Sequence, residues 1–244
     1  MSNLMIPQVF EVGLSVVERI RDTQSEQIDS AARAVANCFL GGHNFFVSGS
    51  GHSHTFTEEL YGRAGGLAFT KPILTSELTL TEHPTKSSLI ERLDGYGSIL
   101  AELYGIVDDD VVLIASNSGR NAYPVELAMA AKKQGAQVIA LTNFAHSTAT
   151  KPRNKAGKRL MEVADIVIDN CGVPGDSALE VPGVAVPMCP TSSIANAFIA
   201  QAISVQAAVY IAEAGVEPPV FVSLNNEGTE HVNDELFKRY TRLY

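Results

Sequence analysis

Two stretches of this chain gather hydroxyls, amides and glycines in the pattern that holds an anion. Ser116-Asn117-Ser118-Gly119-Arg120-Asn121 follows the apolar run Val111–Ala115 and leads into a helical pattern with Pro124 in its first turn. A helix N-terminus there would offer unpaired backbone N–H groups and the positive end of the helix dipole, the chemistry of phosphate binding. A plain capped turn needs one polar side chain, whereas Ser116, Ser118 and Asn121 supply three, with Asn117 and Gly119 completing the loop. The loop has no lysine, so a phosphate would rest on neutral donors and the dipole.

Ser48-Gly49-Ser50-Gly51-His52-Ser53 joins another apolar run to a helix. It is either a tight turn that needs glycine or a cradle for a hydroxyl-rich or anionic ligand, with Gly49, Ser50, Gly51 and Ser53 as its contacts. His54 stands where a GxGxxG dinucleotide fingerprint needs glycine, and GxxxxGK[ST] is absent. Thr191-Ser192-Ser193 opens a long helix before Asn196, so Thr191 and Ser192 are either an ordinary N-cap or further sugar contacts.

Among titratable groups, Glu59 and His52 lie in or just beyond the first glycine-rich turn. Glu59 is either a base or an ion-pair partner of Arg63, four residues on. Glu82-His83-Pro84 and Glu91 lie in the longer connection that follows, where either could face a ligand. Glu230 and His231 sit in a polar tail after Pro218-Pro219, and His231 is either a proton shuttle or a surface histidine. The cysteines Cys38, Cys171 and Cys189 have no zinc-like spacing, so no metal and no cofactor is expected.

The elements that must position these loops alternate. Apolar runs at Phe45–Ser48, Leu67–Leu74, Val111–Ala115, Val138–Thr142 and Ile166–Ile168 are separated by helical patterns near 53–64, 87–105 and 122–134, and a long one follows near 192–214. Short strands apolar on both faces require a parallel sheet covered by helices, hence a doubly wound α/β fold with ligands at the carboxyl ends of the strands. Two helices are expected over 4–40, the second opened by the capping-box pattern Thr23-Gln24-Ser25-Glu26. The tail from 215 carries Val220-Phe221-Val222, Phe237, Tyr240 and Tyr244, an arm that would pack on the domain or on a second subunit.

The 244 residues suffice for a real core, and 45% hydrophobic with 18% charged residues excludes disorder. A net charge of −9 argues against nucleic acid as partner, and the 44 residues ahead of the first strand are too few and too acidic for a DNA-binding domain. Five bases in nine positions, Lys151 to Arg159, read as a solvated loop. No apolar run of membrane-spanning length and no signal-peptide pattern is evident, so a protein without membrane contact in a reducing cytoplasm is expected.

The segment from Leu113 to Asn143, LIASNSGRNAYPVELAMAAKKQGAQVIALTN, resembles the strand, Ser-x-Ser-Gly-x-Thr loop, helix and next strand of the sugar isomerase (SIS) domain family, with Asn121 at the usual threonine position. The likeness runs over about 45–214. It implies a three-layer α/β sandwich with a five-stranded parallel sheet in a single SIS domain over 1–244, made of N-terminal helices (1–42), an α/β core (43–214) and a C-terminal arm (215–244). It also implies a phosphosugar ligand, with the phosphate at 116–121, and a homodimer or homotetramer. Within the family SGSGHSHTFTEELYGR resembles the phosphoheptose isomerases, which makes Glu59 the aligned catalytic glutamate and aldose-ketose isomerisation through an enediol the expected reaction. Those relatives add a histidine one turn earlier, where this chain has Thr55, and a glutamine and a histidine on the last helix, which here has no histidine. Some SIS isomerases complete the site with a C-terminal histidine, which makes His231 a candidate. A non-catalytic phosphosugar sensor and an amino-sugar-phosphate lyase remain as alternatives.

Overall fold

A computed structural model describes residues 4–83, 85–227, 229 and 231–240. Five strands, β1 (Phe45–Gly49), β2 (Thr70–Ile73), β3 (Val111–Ala115), β4 (Gln137–Thr142) and β5 (Ile166–Asp169), form one parallel sheet in the order β2-β1-β3-β4-β5. The register pairs Phe45 with Thr70 on one side and with Val111 on the other. Side chains alternate between two cores as a doubly covered sheet requires: Phe45, Val47, Leu113 and Leu141 face one, Phe46, Val112, Ile114 and Val138 the other.

The first core is roofed by α1 (Ile6–Leu40), α2 (His54–Leu60) and α7 (Ser192–Glu213). The second is covered by α4 (Tyr96–Leu103) and α5 (Ala122–Lys133), with α3 (Lys86–Ile90) beside them. A short α6 (Phe144–Ala149) follows β4, and β6 (Ser177–Leu179) pairs antiparallel with β7 (Met188–Pro190) in a small second sheet that periodicity had not revealed.

The expected pair of N-terminal helices is one helix of 35 residues. Inside it the Thr23 and Ser25 hydroxyls donate to the carbonyls of Arg19 and Arg21, four residues back, instead of capping a new start. The helix expected over 87–105 divides into α3 and α4 because Gly95 adopts φ +92°. The one expected over 53–64 is a 3₁₀ turn, Gly51–Ser53, followed by α2, which ends at Leu60. α7 is apolar and long enough to span a bilayer by length and composition, contrary to expectation, but Ala195, Ile199, Ile203, Ala207 and Ile211 bury one face of it in the first core.

The arm folds back on its own domain. Gly65 N donates to Phe221 O and Phe221 N to Gly66 O, at 2.8 and 3.0 Å, and Ala68 N donates to Pro219 O. α8 (Val232–Tyr240) is tied in by Asn233, which exchanges hydrogen bonds with the Val222 backbone, and by Phe237, whose ring packs at a tilt against Phe221 with centroids 4.7 Å apart. Pro84, Glu230 and Tyr244 lie outside the described residues.

Candidate functional site

Strand order reverses between β1 and β3, and in an open α/β sheet the crevice at that switch point is where ligands bind. The loops leaving the carboxyl ends of these two strands are 49–53 and 116–121. Gly49 has to be glycine because a Cβ there would sit 2.2 Å from Ser53 O, and Gly51 and Gly119 adopt φ +56° and +58°. The glycines therefore build both turns, and the side chains between them are what remains for a ligand.

In the second loop Ser116 is buried, and its Oγ accepts from Gly119 N at 3.2 Å while its proton is left to donate. Ser118 is half-buried. Among the described residues the amides of Ser118 and Arg120 donate to no protein acceptor. Asn121 begins α5 without capping it, and its Oδ1 has no partner although the residue is only 8% exposed. Two features reduce what the sequence offered here. Asn117 turns inward: its Oδ1 accepts from Asn170, which with Asn143 and Asn196 forms a buried amide network under the loop. The first turn of α5 lends few amides, since Tyr123 N donates to Glu91 O and Pro124 has none.

Glu91 is the residue the sequence left undecided. It follows α3, so the β2-to-β3 connection returns it to the crevice, where the side chains of Ser50 and Asn121, one from each loop, lie beside its carboxyl. Burial pushes its pKa above the usual glutamate range, and Asn121, Ser50, Arg92 and Arg120 oppose the shift without cancelling it. Ser87, one helical turn earlier, is buried with an unpartnered Oγ. Buried polar atoms without partners are rare in folded proteins, and several about one crevice mark a place for water or ligand.

Glu59 lies elsewhere. Near the C-terminal end of α2, it is ion-paired with Arg63, accepts from Gln201 Nε2 of α7 at 2.6 Å and is 26% exposed. Gln201 is nine residues into α7, roughly 14 Å along a helix at 1.5 Å per residue. The Glu59 cluster thus sits down the α2–α7 groove, away from the helix N-termini. His52 is exposed in the 3₁₀ turn. His54, behind it, is buried against the Gly51 carbonyl. His231 is 95% exposed and lies 3.4 Å from Asp234 of α8, so within one chain it joins neither loop.

Thr191 and Ser192 do not present free donors to a ligand. The Asp176 carboxylate fills the N-terminus of α7, accepting from both amides and both hydroxyls at 2.7–3.1 Å. No sequence pattern marked Asp176, which lies fifteen residues earlier with φ +71°. Among the described residues no three His, Cys, Asp or Glu side chains converge as a metal would require.

Comparison with known proteins bears on the family and the fold. The family model of the SIS domain matches residues 10–143. A UPF0309 protein of Halalkalibacterium halodurans is 40% identical over 227 residues, 93% of this chain and 94% of that protein. Among solved structures, a phosphoheptose isomerase from Francisella tularensis aligns with a TM-score of 0.52 at 20% identity, over 85% of this chain and 98% of its own. The NanR protein of Vibrio vulnificus, complexed with ManNAc-6P, aligns at 0.51 and 11%, over 88% and 68%. At these identities the structural likeness speaks for the fold.

Proposed function

The chain belongs to the SIS domain family, and from that premise we propose that it binds a phosphosugar across the β1/β3 crevice and moves a proton between adjacent carbons of it, as an aldose-ketose isomerase does. The carrying observation is Glu91, a half-buried residue whose carboxyl lies beside Ser50 of one glycine-rich loop and Asn121 of the other, with its pKa raised by desolvation. The phosphate lies on Ser116, Ser118 and the free amides of 116–121, which supply neutral donors to a charged group. The sugar then runs past Gly51 and Ser50 toward Glu91. A carboxyl with its pKa displaced toward neutrality suits both halves of the reaction: it takes the proton from the carbon next to the carbonyl and returns it to the neighbouring carbon of the enediol.

Glu59, to which the family resemblance assigns the base, has its Oε1 occupied by Arg63 and Gln201. That occupancy favours the second reading, a phosphosugar sensor without turnover. Deuterium incorporation from heavy water into a bound sugar phosphate separates the readings. Under the isomerase reading wild type exchanges, and Glu91→Gln still binds while exchange falls by ~10²- to 10⁴-fold, the range of general acid–base catalysis. If only Glu59→Gln abolishes exchange, the base is Glu59. If wild type binds a sugar phosphate and exchanges no proton, the sensor reading replaces the isomerase.

Self-association belongs to the same proposal. Ile6, Phe10 and Leu14 form an exposed apolar stripe on α1, and Phe198, Val205 and Val209 one on α7. A reducing compartment accords with Cys38, Cys171 and Cys189 all being free thiols, the first buried with its pKa pushed up to about 12.

A further inference from the structure

The basic stretch Lys151–Arg159 is not uniformly solvated. Arg159 is spent on the protein, donating to the carbonyls of Ser147 and Thr150 at 2.9 Å and pairing with Glu162. Lys155 pairs with Asp94 at 3.1 Å. Arg153 is placed differently. Its amide donates to the Arg120 carbonyl at 2.7 Å, Asn154 Nδ2 reaches the same carbonyl at 2.9 Å, and Asn121 and Arg153 form a parallel bridge. Leu160 N closes the stitch on Gly119 O at 2.7 Å.

The strap is thus sewn along the phosphate loop, which brings Arg153 next to Arg120 and within electrostatic range of Arg92, the neighbour of Glu91. Among the described residues none of these three guanidiniums forms an ion pair with a carboxylate. Their crowding holds Arg153 below the usual arginine range, with Arg120 the largest cause, then partial desolvation and Arg92, while Glu91 acts in the opposite sense. The other carboxylates nearby are engaged: Asp94 with Lys155, and Glu126 with the Gly95 amide at 2.7 Å. Three like charges gathered at one rim of a protein of net charge −9 repel one another unless an anion joins them.

We propose that the ligand of this crevice is a phosphosugar bearing a second oxyanion, a carboxylate or another phosphate, and that Arg92, Arg120 and Arg153 receive it. The inference rests on the phosphosugar reading above and narrows its substrate class. The neutral donors of 116–121 take the first phosphate, so the arginines are surplus to it. The unpartnered Oδ1 of Asn121, a residue 8% exposed, is left as an acceptor for a sugar hydroxyl. Guanidinium forks suit carboxylate and phosphate alike.

Calorimetric titration with matched probes tests this: glucose 6-phosphate against 6-phosphogluconate, and fructose 6-phosphate against fructose 1,6-bisphosphate, on wild type and on Arg92→Gln/Arg153→Gln. In at least one pair the probe with the second oxyanion should bind wild type about tenfold or more tighter. In the variant most of that advantage should vanish while the monophosphate partner is little changed. The pair that responds tells carboxylate from phosphate. Equal affinity within both pairs overturns the inference and leaves the phosphosugar reading standing. A variant that weakens both members of a pair equally also overturns it, because the arginines then hold the single phosphate. If none of the four probes binds, the inference fails together with the reading beneath it.

Discussion

Burial disfavours the charged form of Glu91, and that has a thermodynamic signature apart from catalysis. With its native pKa raised, the folded chain keeps a proton that the unfolded chain has already lost. The associated stability is complete below the ordinary glutamate range and is lost as pH rises through the native value. Glu91→Gln does not titrate, so its melting temperature relative to wild type should be higher at about pH 8 than at about pH 4. A gap that does not change with pH would show that the Glu91 carboxyl is not desolvated in the fold. Glu59 contrasts with it: partly exposed and ion-paired with Arg63, it should cost under about 1 kcal/mol in stability as Glu59→Gln. In the sequence the two glutamates look alike, and the local pattern favoured Glu59 because it shares a loop-helix unit with Gly51. What distinguishes Glu91 is long-range. Ser50, Glu91 and Asn121 meet only after β1, the end of α3 and the start of α5 have packed.

At the scale of elements, what was legible were runs whose burial is uniform. Phe45–Gly49 and Val111–Ala115 are buried at every position, so their apolar, β-branched composition marked them directly. What misled were polar residues with two competing uses. Thr23 and Ser25 have the spacing of a cap, yet 35 residues of α1 packed along the first core keep the helix intact through them. Thr191 and Ser192 read as ligand contacts because no local feature announces that Asp176 will reach their amides. The three-residue strands β6 and β7 are too short to show a period. The site depends on α5 being seated correctly, and Gly97 seats it: a Cβ there would lie 2.4 Å from Tyr123 O and 2.6 Å from Leu127 N. Gly97→Ala should force α4 from α5 at a cost of ~1–3 kcal/mol, lowering the melting temperature by roughly 2–4 °C per kcal/mol. Phosphosugar affinity should drop with it, since Tyr123 ties the start of α5 to Glu91. An unchanged melting temperature would mean that the two helices are not in that contact.

For the whole molecule, the sheet places both glycine-rich loops at one switch point, while the helix layer over the first core leaves the apolar stripes of α1 and α7 in solvent. Stripes of this kind accompany association, so sedimentation at micromolar concentration should give a mass above that of one 26.1 kDa chain, and Phe10→Asp/Phe198→Asp should reduce it. A monomeric wild type would refute that expectation and leave the crevice unaffected. The crevice itself answers to calorimetry of wild type and Ser116→Ala/Ser118→Ala against pentose, hexose and amino-sugar phosphates, each beside its unphosphorylated sugar. At least one phosphate should bind while its unphosphorylated counterpart does not, and the double variant, folded by circular dichroism, should bind about 10- to 100-fold more weakly, the loss expected for hydrogen bonds to a charged group. Binding of no sugar phosphate, or equal affinity in the double variant, would contradict the account.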